Sequence, residues 1–175
     1  DHGWTYINID DGWEAAARDA KGNIVPNEKF RDMKALSDYV HSLGLKIGIY
    51  SSPGPLTCGL YLGSYQHEEK DARTYADWEI DYLKYDWCSY SEVVKTLEYG
   101  TLDLYEKRPE KTDDVLKALQ KPYNFMNAAL KKQNRDITYS LCQYGWGAVW
   151  EWGGKSGGQL WRTTGDIVDT WESMR

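Results

Sequence analysis

The stretch Tyr82–Asp86 has the sequence YLKYD and predicts a short β-strand that ends in a carboxylate. A helix is predicted just before this strand, because Ala72, Tyr75, Ala76 and Ile80 recur at helical spacing. A helix that leads into a strand is therefore the unit from which the rest of the fold can be worked out.

The same unit occurs on the N-terminal side. Residues 45–50 (LKIGIY) predict a second strand, and residues 30–43 carry apolar side chains at helical spacing before Gly44 supplies a stop. Residues 6–10 (YINID) alternate between apolar and polar side chains and predict the first strand. The predicted order is strand, helix, strand, helix, strand.

The C-terminal side begins with an inserted segment at about residues 89–123, much of it charged and irregular. Thr112 is expected to cap a helix within it, which Pro122 would kink or restart. Residues 137–142 predict a fourth strand and residues 160–163 a short fifth. Residues 167–174 are expected to start another helix.

Strands that alternate with helices predict a parallel sheet flanked by helices, because parallel neighbours need crossover connections. An open doubly wound sheet and an eight-stranded barrel both fit this pattern. The predicted strand starts lie about 39 residues apart, so eight units would need about 310 residues. The chain has 175 residues, so a barrel could be present here only as a section with five strands.

The composition narrows the classes of partner. The formal net charge is −6 and no block of Lys or Arg is present, which argues against nucleic acid or an anionic membrane. No apolar run is long enough for a membrane span, and the opening residues do not resemble a signal peptide. Nine Trp and 14 Tyr offer apolar rings with polar edges, which suit sugars as well as ordinary packing.

Polar side chains gather where the predicted strands end, which is where parallel α/β folds place their sites. They include Asp10, Asp11, Tyr50, Lys84, Asp86, Gln143, Arg162 and Asp166. No histidine falls at a strand end and no G-x-S-x-G motif is present, so a histidine-dependent triad is not expected. Two hypotheses for the chemistry of the site remain: a carboxylate pair acting as nucleophile and acid, or a carboxylate cluster that holds a divalent metal.

Lys84 and Asp86 are two residues apart, so they share a face of their strand. The lysine would favour the ionised form of Asp86, as a nucleophile needs, and the charge of Asp86 would favour a protonated Asp166. That division of roles is typical of retaining glycosidases. A metal site would need Asp10 or Asp11 to share an ion with Asp86, and Lys84 counts against it. A plain Lys84–Asp86 ion pair is the simplest alternative.

Five motifs carry a resemblance to a known family and occur in that family's order. They are Tyr6–Trp13 (YINIDDGW), Gly48–Ser51 (GIYS), Asp81–Asp86 (DYLKYD), Ser140–Cys142 (SLC) and Trp161–Ile167 (WRTTGDI). With them the chain resembles the melibiase-type α-galactosidases of glycoside hydrolase family 27, nearly from end to end.

The resemblance implies an α/β fold of the (β/α)₈ TIM-barrel type, of which this chain covers about strands 2 to 6. Residues 1–175 would form a single partial catalytic domain. The implied activity is removal of terminal α-linked galactose with retention, through a covalent glycosyl-Asp intermediate and without a cofactor or metal. The implied location is secreted or periplasmic, and the oligomeric state stays open.

Matched position by position, Asp86 corresponds to the nucleophile and Asp166 to the acid/base. The residues implied to bind or line the sugar pocket are Asp10, Asp11, Tyr50, Lys84, Gln143 and Arg162. Cys58 and Cys88 correspond to a disulfide beside the site. The third cysteine, Cys142, is expected to stay a buried thiol.

Two departures from the family pattern leave the substrate less certain than the mechanism. Gly12 stands where many members have cysteine, and Gln143 stands where glutamate is frequent. An α-N-acetylgalactosaminidase or a β-L-arabinopyranosidase on the same scaffold therefore stays open. So do a non-catalytic sugar-binding fragment and a metal-dependent hydrolase.

Overall fold

The computed structural model describes residues 2–95 and 112–174. The strands are β1 (Tyr6–Asn8), β2 (Lys46–Ser51), β3 (Tyr82–Asp86), β4 (Thr138–Cys142) and β5 (Leu160–Trp161). The helices are α1 (Met33–Ser42), α2 (Glu68–Asp77), α3 (Tyr90–Val93), α4 (Asp113–Lys131), α5 (Val149–Trp152) and α6 (Trp171–Met174), and a 3₁₀ turn spans Glu28–Phe30.

All five strands are parallel, and they lie side by side in chain order. Every strand therefore ends at the same edge of the sheet, called here the carboxyl edge. It is formed by the segments that follow Asn8, Ser51, Asp86, Cys142 and Trp161. The opposite edge, where the strands begin, is called the amino edge. The predicted parallel sheet with crossover helices is confirmed.

Local signals explain where the helices start and stop. Asp32 caps α1 by accepting a hydrogen bond from the Ala35 N–H at 2.9 Å, and Gly44 follows the helix with a φ of +73°. Thr112 caps α4 through the Val115 N–H, as predicted. The helix continues through Pro122 without restarting, because packing of its apolar face outweighs the missing backbone hydrogen bond.

Several elements are shorter than the sequence pattern indicates. The first strand ends at Asn8, although the Ile9 N–H still bonds to the Gly48 carbonyl at 2.9 Å. The fifth strand has two residues, and the last helix begins only at Trp171. The middle of the predicted insertion, residues 96–111, lies outside the described residues, so the insertion stays a prediction.

Aromatic side chains fill much of the core. Trp13 is fully buried and meets Tyr75 and Trp78 edge to face, with ring centroids 6.3 and 5.6 Å apart. Trp87 stacks on Tyr123 at 6.0 Å beneath the end of β3. Such pairs add to the free energy gained from burial, which is how so few aliphatic residues suffice for a core. No helix in the described part of the chain has the length and apolar character needed to cross a bilayer.

Candidate active site at the carboxyl edge

Asp86 is the last residue of β3 and lies at the centre of the carboxyl edge, opposite Cys142 of β4. Its side chain is buried, and its Oδ1 accepts hydrogen bonds from the Trp87 N–H at 2.8 Å and the Tyr144 hydroxyl at 3.0 Å. Both donors reach the same oxygen. They limit rotation of the carboxylate.

Lys84 pairs with Asp10 and not with Asp86: its Nζ lies 2.9 Å from Oδ2 of Asp10. Burial disfavours the charged forms of Lys84 and Asp10, but their mutual contact outweighs the effect of burial. The pKa of Lys84 is raised, and the pKa of Asp10 is lowered with help from the Asp11 N–H. The ammonium also lies 4.9 Å from the ring centre of Tyr50. The alternative of a plain Lys84–Asp86 ion pair is therefore wrong, because Lys84 pairs with the segment that follows β1.

Tyr50 and Asp11 connect the ends of β1 and β2 to the disulfide. Tyr50 is buried, and its hydroxyl lies 3.3 Å from Sγ of Cys88. Burial, with the charges of Asp86 and Asp11, raises the pKa of this tyrosine, so it stays a neutral phenol. Asp11 accepts a hydrogen bond from the Gly59 N–H at 2.6 Å. Cys58 and Cys88 form the disulfide that the family resemblance implies.

Arg162 and Asp166 form an exposed pair just after β5, with Nη1 2.7 Å from Oδ1. The arginine also stacks on the Tyr144 ring, 5.3 Å from its centre. Burial opposes the charge of Arg162, but the bonds to Asp166 and to Cys142 raise its pKa further. The guanidinium occupies Oδ1 of Asp166, and the acid/base role of this carboxyl group stays a prediction.

Gln143 is fully buried and does not lie open at the edge. Its Oε1 accepts a hydrogen bond from the Gly145 N–H at 2.8 Å, and within the described residues its Nε2 has no hydrogen-bond partner. The amide therefore holds the turn that follows β4, and a direct contact with sugar stays a prediction. Cys142 is a buried free thiol, as expected, whose pKa is raised to about 12 by burial and by the charge of Asp86.

Two residues near this edge were not singled out in the sequence. Tyr144 donates a hydrogen bond to Asp86, and its position just after a predicted strand was the only sequence signal for a place in the site. Glu14 is buried, and its pKa is raised to about 8 by burial and, to a lesser extent, by the charge of Asp11. Its Oε2 accepts a weak bond from the Gly12 N–H at 3.2 Å. No periodic pattern marks a single buried carboxyl of this kind.

The donors at the carboxyl edge fit a metal ion poorly. Cys58, Cys88 and Asp86 lie close together, but the two sulfurs are joined to each other and are not thiolates. Asp10 already has Lys84 as its cation. A second group at the amino edge contains His41, and Lys34 pairs with both of its carboxylates. These contacts favour chemistry carried by the carboxylates themselves.

Comparison with known proteins agrees with this geometry. The family model described as alpha galactosidase A matches residues 1–113. The alpha-galactosidase of Cyamopsis tetragonoloba is 43% identical over 98% of this chain, which spans 36% of that protein. Alpha-galactosidase I from Mortierella vinacea superposes with a TM-score of 0.79 at 35% identity, covering 96% of this chain and 38% of the other.

An alpha-galactosidase from Saccharomyces cerevisiae, solved with raffinose, superposes with a TM-score of 0.77 at 31% identity. It matches 95% of this chain and 33% of its own length, so the chain spans little more than a third of the relatives it matches. The family model covers well over half of the chain, and the solved relatives share its consecutive parallel strands. The chain therefore belongs to the α-galactosidase family of glycosidases and supplies five neighbouring strands of its (β/α)₈ barrel.

Proposed function

We propose that this chain carries the catalytic carboxylates and most of the sugar-binding groups of a retaining α-galactosidase, with Asp86 as nucleophile and Asp166 as acid/base. The observation that carries the proposal is Asp86 itself. It is a buried carboxylate at the end of a central strand, with one oxygen held by two donors and two ion pairs beside it. Such a group is oriented and shielded from bulk water, as a nucleophile requires.

In the first chemical step, Asp86 attacks the anomeric carbon and the bond to the leaving oxygen breaks. Asp166 gives its proton to that oxygen, so the leaving group departs as an alcohol. Because Oδ1 of Asp166 accepts from Arg162, the proton would be held on Oδ2. In the second step, Asp166 takes a proton from water, and the water oxygen replaces the Asp86 ester. Two displacements restore the original anomeric configuration.

The groups around Asp86 suit a galactose ring. Asp10 and Lys84 present an acceptor and a donor side by side, which matches hydroxyls that both donate and accept. Tyr50 adds an aromatic wall beside Lys84. Arg162 supplies donors on the far side of the nucleophile. The yeast relative was solved with raffinose, which supports a galactoside as substrate.

The disulfide next to Asp86 suits an oxidising compartment, so we extend the proposal to a secreted or periplasmic protein. Removal of an N-acetylgalactosamine or a β-L-arabinopyranose is an alternative outcome of the same test, because the pocket chemistry is shared. A sugar-binding protein without turnover is another.

The test is hydrolysis of aryl glycosides by the intact protein, followed by proton NMR of the first-formed sugar. We expect α-galactose to appear first and the rate to be the same with and without EDTA. A β-configured first product would contradict the nucleophile assignment. A chelator-sensitive rate would favour the metal-dependent reading. Turnover confined to N-acetylgalactosaminides or β-L-arabinopyranosides would replace the proposed substrate.

A further inference from the structure

Tyr144 lies two residues beyond the end of β4 and has an unusual backbone conformation. Its φ is +63°, in the left-handed region that costs a non-glycine residue free energy, and Gly145 follows with a φ of +85°. The turn is fixed by Gln143, whose Oε1 accepts from the Gly145 N–H. A β-carbon at Gly145 would lie 2.0 Å from the Thr163 carbonyl oxygen, so the turn also packs closely on the segment after β5.

This strained turn brings the Tyr144 hydroxyl within 3.0 Å of Oδ1 of Asp86. Cys58 Sγ lies 3.9 Å from the same hydroxyl, but a disulfide sulfur is a weak acceptor and has no proton to donate. The hydroxyl donates its proton to Oδ1 of Asp86. On the ring, the guanidinium of Arg162 lies 5.3 Å from the centroid, and the Trp146 ring packs edge-on at 5.4 Å. The ring is thus held on two sides.

We propose that Tyr144 is a positioning residue for the reaction proposed above, on which this inference rests. Its hydroxyl and the Trp87 N–H together hold Oδ1 of Asp86, so that Oδ2 is the oxygen that attacks the anomeric carbon. In the free enzyme Oδ1 carries half of a negative charge and accepts both bonds strongly. In the glycosyl ester it is a neutral carbonyl oxygen and accepts them weakly.

Because the hydrogen bond is stronger to the free carboxylate than to the ester, it stabilises Asp86 as a leaving group in the second step. Its loss should slow release of the sugar more than formation of the ester. For Tyr144→Phe we expect kcat to fall about tenfold and KM to fall with it, with a smaller change in kcat/KM at the optimum. The acid limb of the kcat/KM profile should move to higher pH by about one unit, because the ionised form has lost a donor.

Tyr139→Phe is the matched control. Tyr139 lies within β4, the strand that precedes Tyr144, and is buried, and its hydroxyl bonds only loosely to the Tyr123 carbonyl at 3.4 Å. Its removal deletes the same atom without touching Asp86, so the pH profile and the split between kcat and KM should match the wild-type protein. Tyr144→Phe keeps the ring that Arg162 and Trp146 contact, so the thermal midpoint should change little in either variant.

A second readout does not need turnover. The Asp86 side-chain carboxyl carbon can be titrated by NMR in the wild-type protein and in Tyr144→Phe, with Asp86→Asn to assign the signal. We expect the midpoint in Tyr144→Phe to be higher by about one pH unit. An unmoved midpoint, or an unchanged kinetic profile in an active enzyme, overturns the proposal. A moved midpoint in a protein without turnover supports the hydrogen bond and overturns the proposed function instead.

Discussion

An aspartate lies at each end of β3, and the two carboxylates have very different hydrogen-bond partners. Asp81 precedes the strand at the amino edge, and both of its oxygens are bonded. Oδ1 accepts from Arg135 at 2.6 Å, and Oδ2 accepts from His41 at 2.7 Å and from the Ile47 N–H at 2.9 Å. These donors come from three parts of the chain. Asp81 therefore ties α1, β2 and the segment before β4 to the sheet.

Asp86, five residues later, accepts on Oδ1 from the Trp87 N–H and the Tyr144 hydroxyl, both just beyond strand ends, and the Cys142 thiol also bonds to its carboxylate. Around it the carboxyl edge has exposed ion pairs, a buried Gln143 amide that is only partly bonded, and a tyrosine with a strained backbone. Incomplete partnering of this kind is typical of functional sites, whereas complete partnering is typical of structural ones. The contrast predicts that changes at one end affect catalysis and changes at the other affect stability.

The largest effect is expected from Asp86→Asn. Loss of the nucleophile should lower kcat on aryl α-galactosides by at least about 10³-fold, because an amide cannot form the ester. The free energy of unfolding should change by no more than about 1 kcal/mol, since the amide oxygen keeps both donors. Steady-state rates and denaturant titration check the two parts. Wild-type turnover in this variant would remove Asp86 from the mechanism.

Asp166→Asn should have the next largest effect. It should lower kcat by roughly 10² to 10⁴-fold on substrates with poor leaving groups and by less on activated aryl galactosides. The difference arises because a good leaving group needs less help from an acid. Asp169→Asn is the control, since that acid is also exposed on the same segment. Equal losses for both kinds of substrate would count against an acid role.

Asp81→Asn should have the reverse profile of Asp86→Asn. We expect the free energy of unfolding to fall by about 2–4 kcal/mol, because Arg135 and His41 lose their charged partner in a mostly buried network. The kcat of the folded protein should stay within about twofold of the wild-type value. Asp136→Asn, an exposed acid next to Arg135, is the control and should leave stability unchanged. A large loss of kcat with full stability would contradict the division between the two edges.

The smallest effect expected is on the pH dependence of folding stability, which Asp81 and Glu14 should change in opposite directions. Burial opposes ionisation of Asp81, but His41, the Ile47 N–H and Arg135 outweigh it and lower its pKa. Its stabilising effect is thus present above the unfolded pKa and is lost as the pH falls through the folded one. Glu14 affects the pH dependence of stability in the opposite direction. Its folded pKa of about 8 lies above the unfolded value, so it costs stability as the pH rises from about 4.5 towards 8.

Glu14→Gln should remove the loss of stability that Glu14 causes as the pH rises. We expect the variant to gain about 2 kcal/mol relative to the wild-type protein between pH 5 and pH 8, measured by denaturant titration at each pH. Glu28→Gln, on the exposed 3₁₀ turn, serves as the control. Parallel stability curves for Glu14→Gln and the wild-type protein would show that Glu14 is ionised in the folded state.

Much of this arrangement can be predicted from the sequence, for an identifiable reason. The third strand has the predicted bounds, because YLKYD combines strand-forming residues with a polar end. The acids at the strand ends share one edge, because parallel strands must end together. The alternation alone could not choose between an open sheet and a barrel, since both place helices between parallel strands. Only the family motifs decided that question.

The parts that the sequence did not reveal depend on loops. Tyr144 reaches Asp86 only because its backbone is left-handed and Gly145 continues the turn, and neither angle follows from hydrophobic periodicity. Lys84 shares a strand face with Asp86 but bonds to Asp10, because the adjacent loop after β1 offers a carboxylate within reach. Gln143 is buried because its amide is used by the chain's own turn.

The nucleophilic role of Asp86 is tested most directly by trapping the ester. The intact protein would be incubated with a fluorinated α-galactosyl fluoride that forms the ester quickly and hydrolyses it slowly, then digested and examined by tandem mass spectrometry. We predict one added fluorogalactosyl group, located on Asp86. Inactivation with the added mass on another carboxylate would contradict the account.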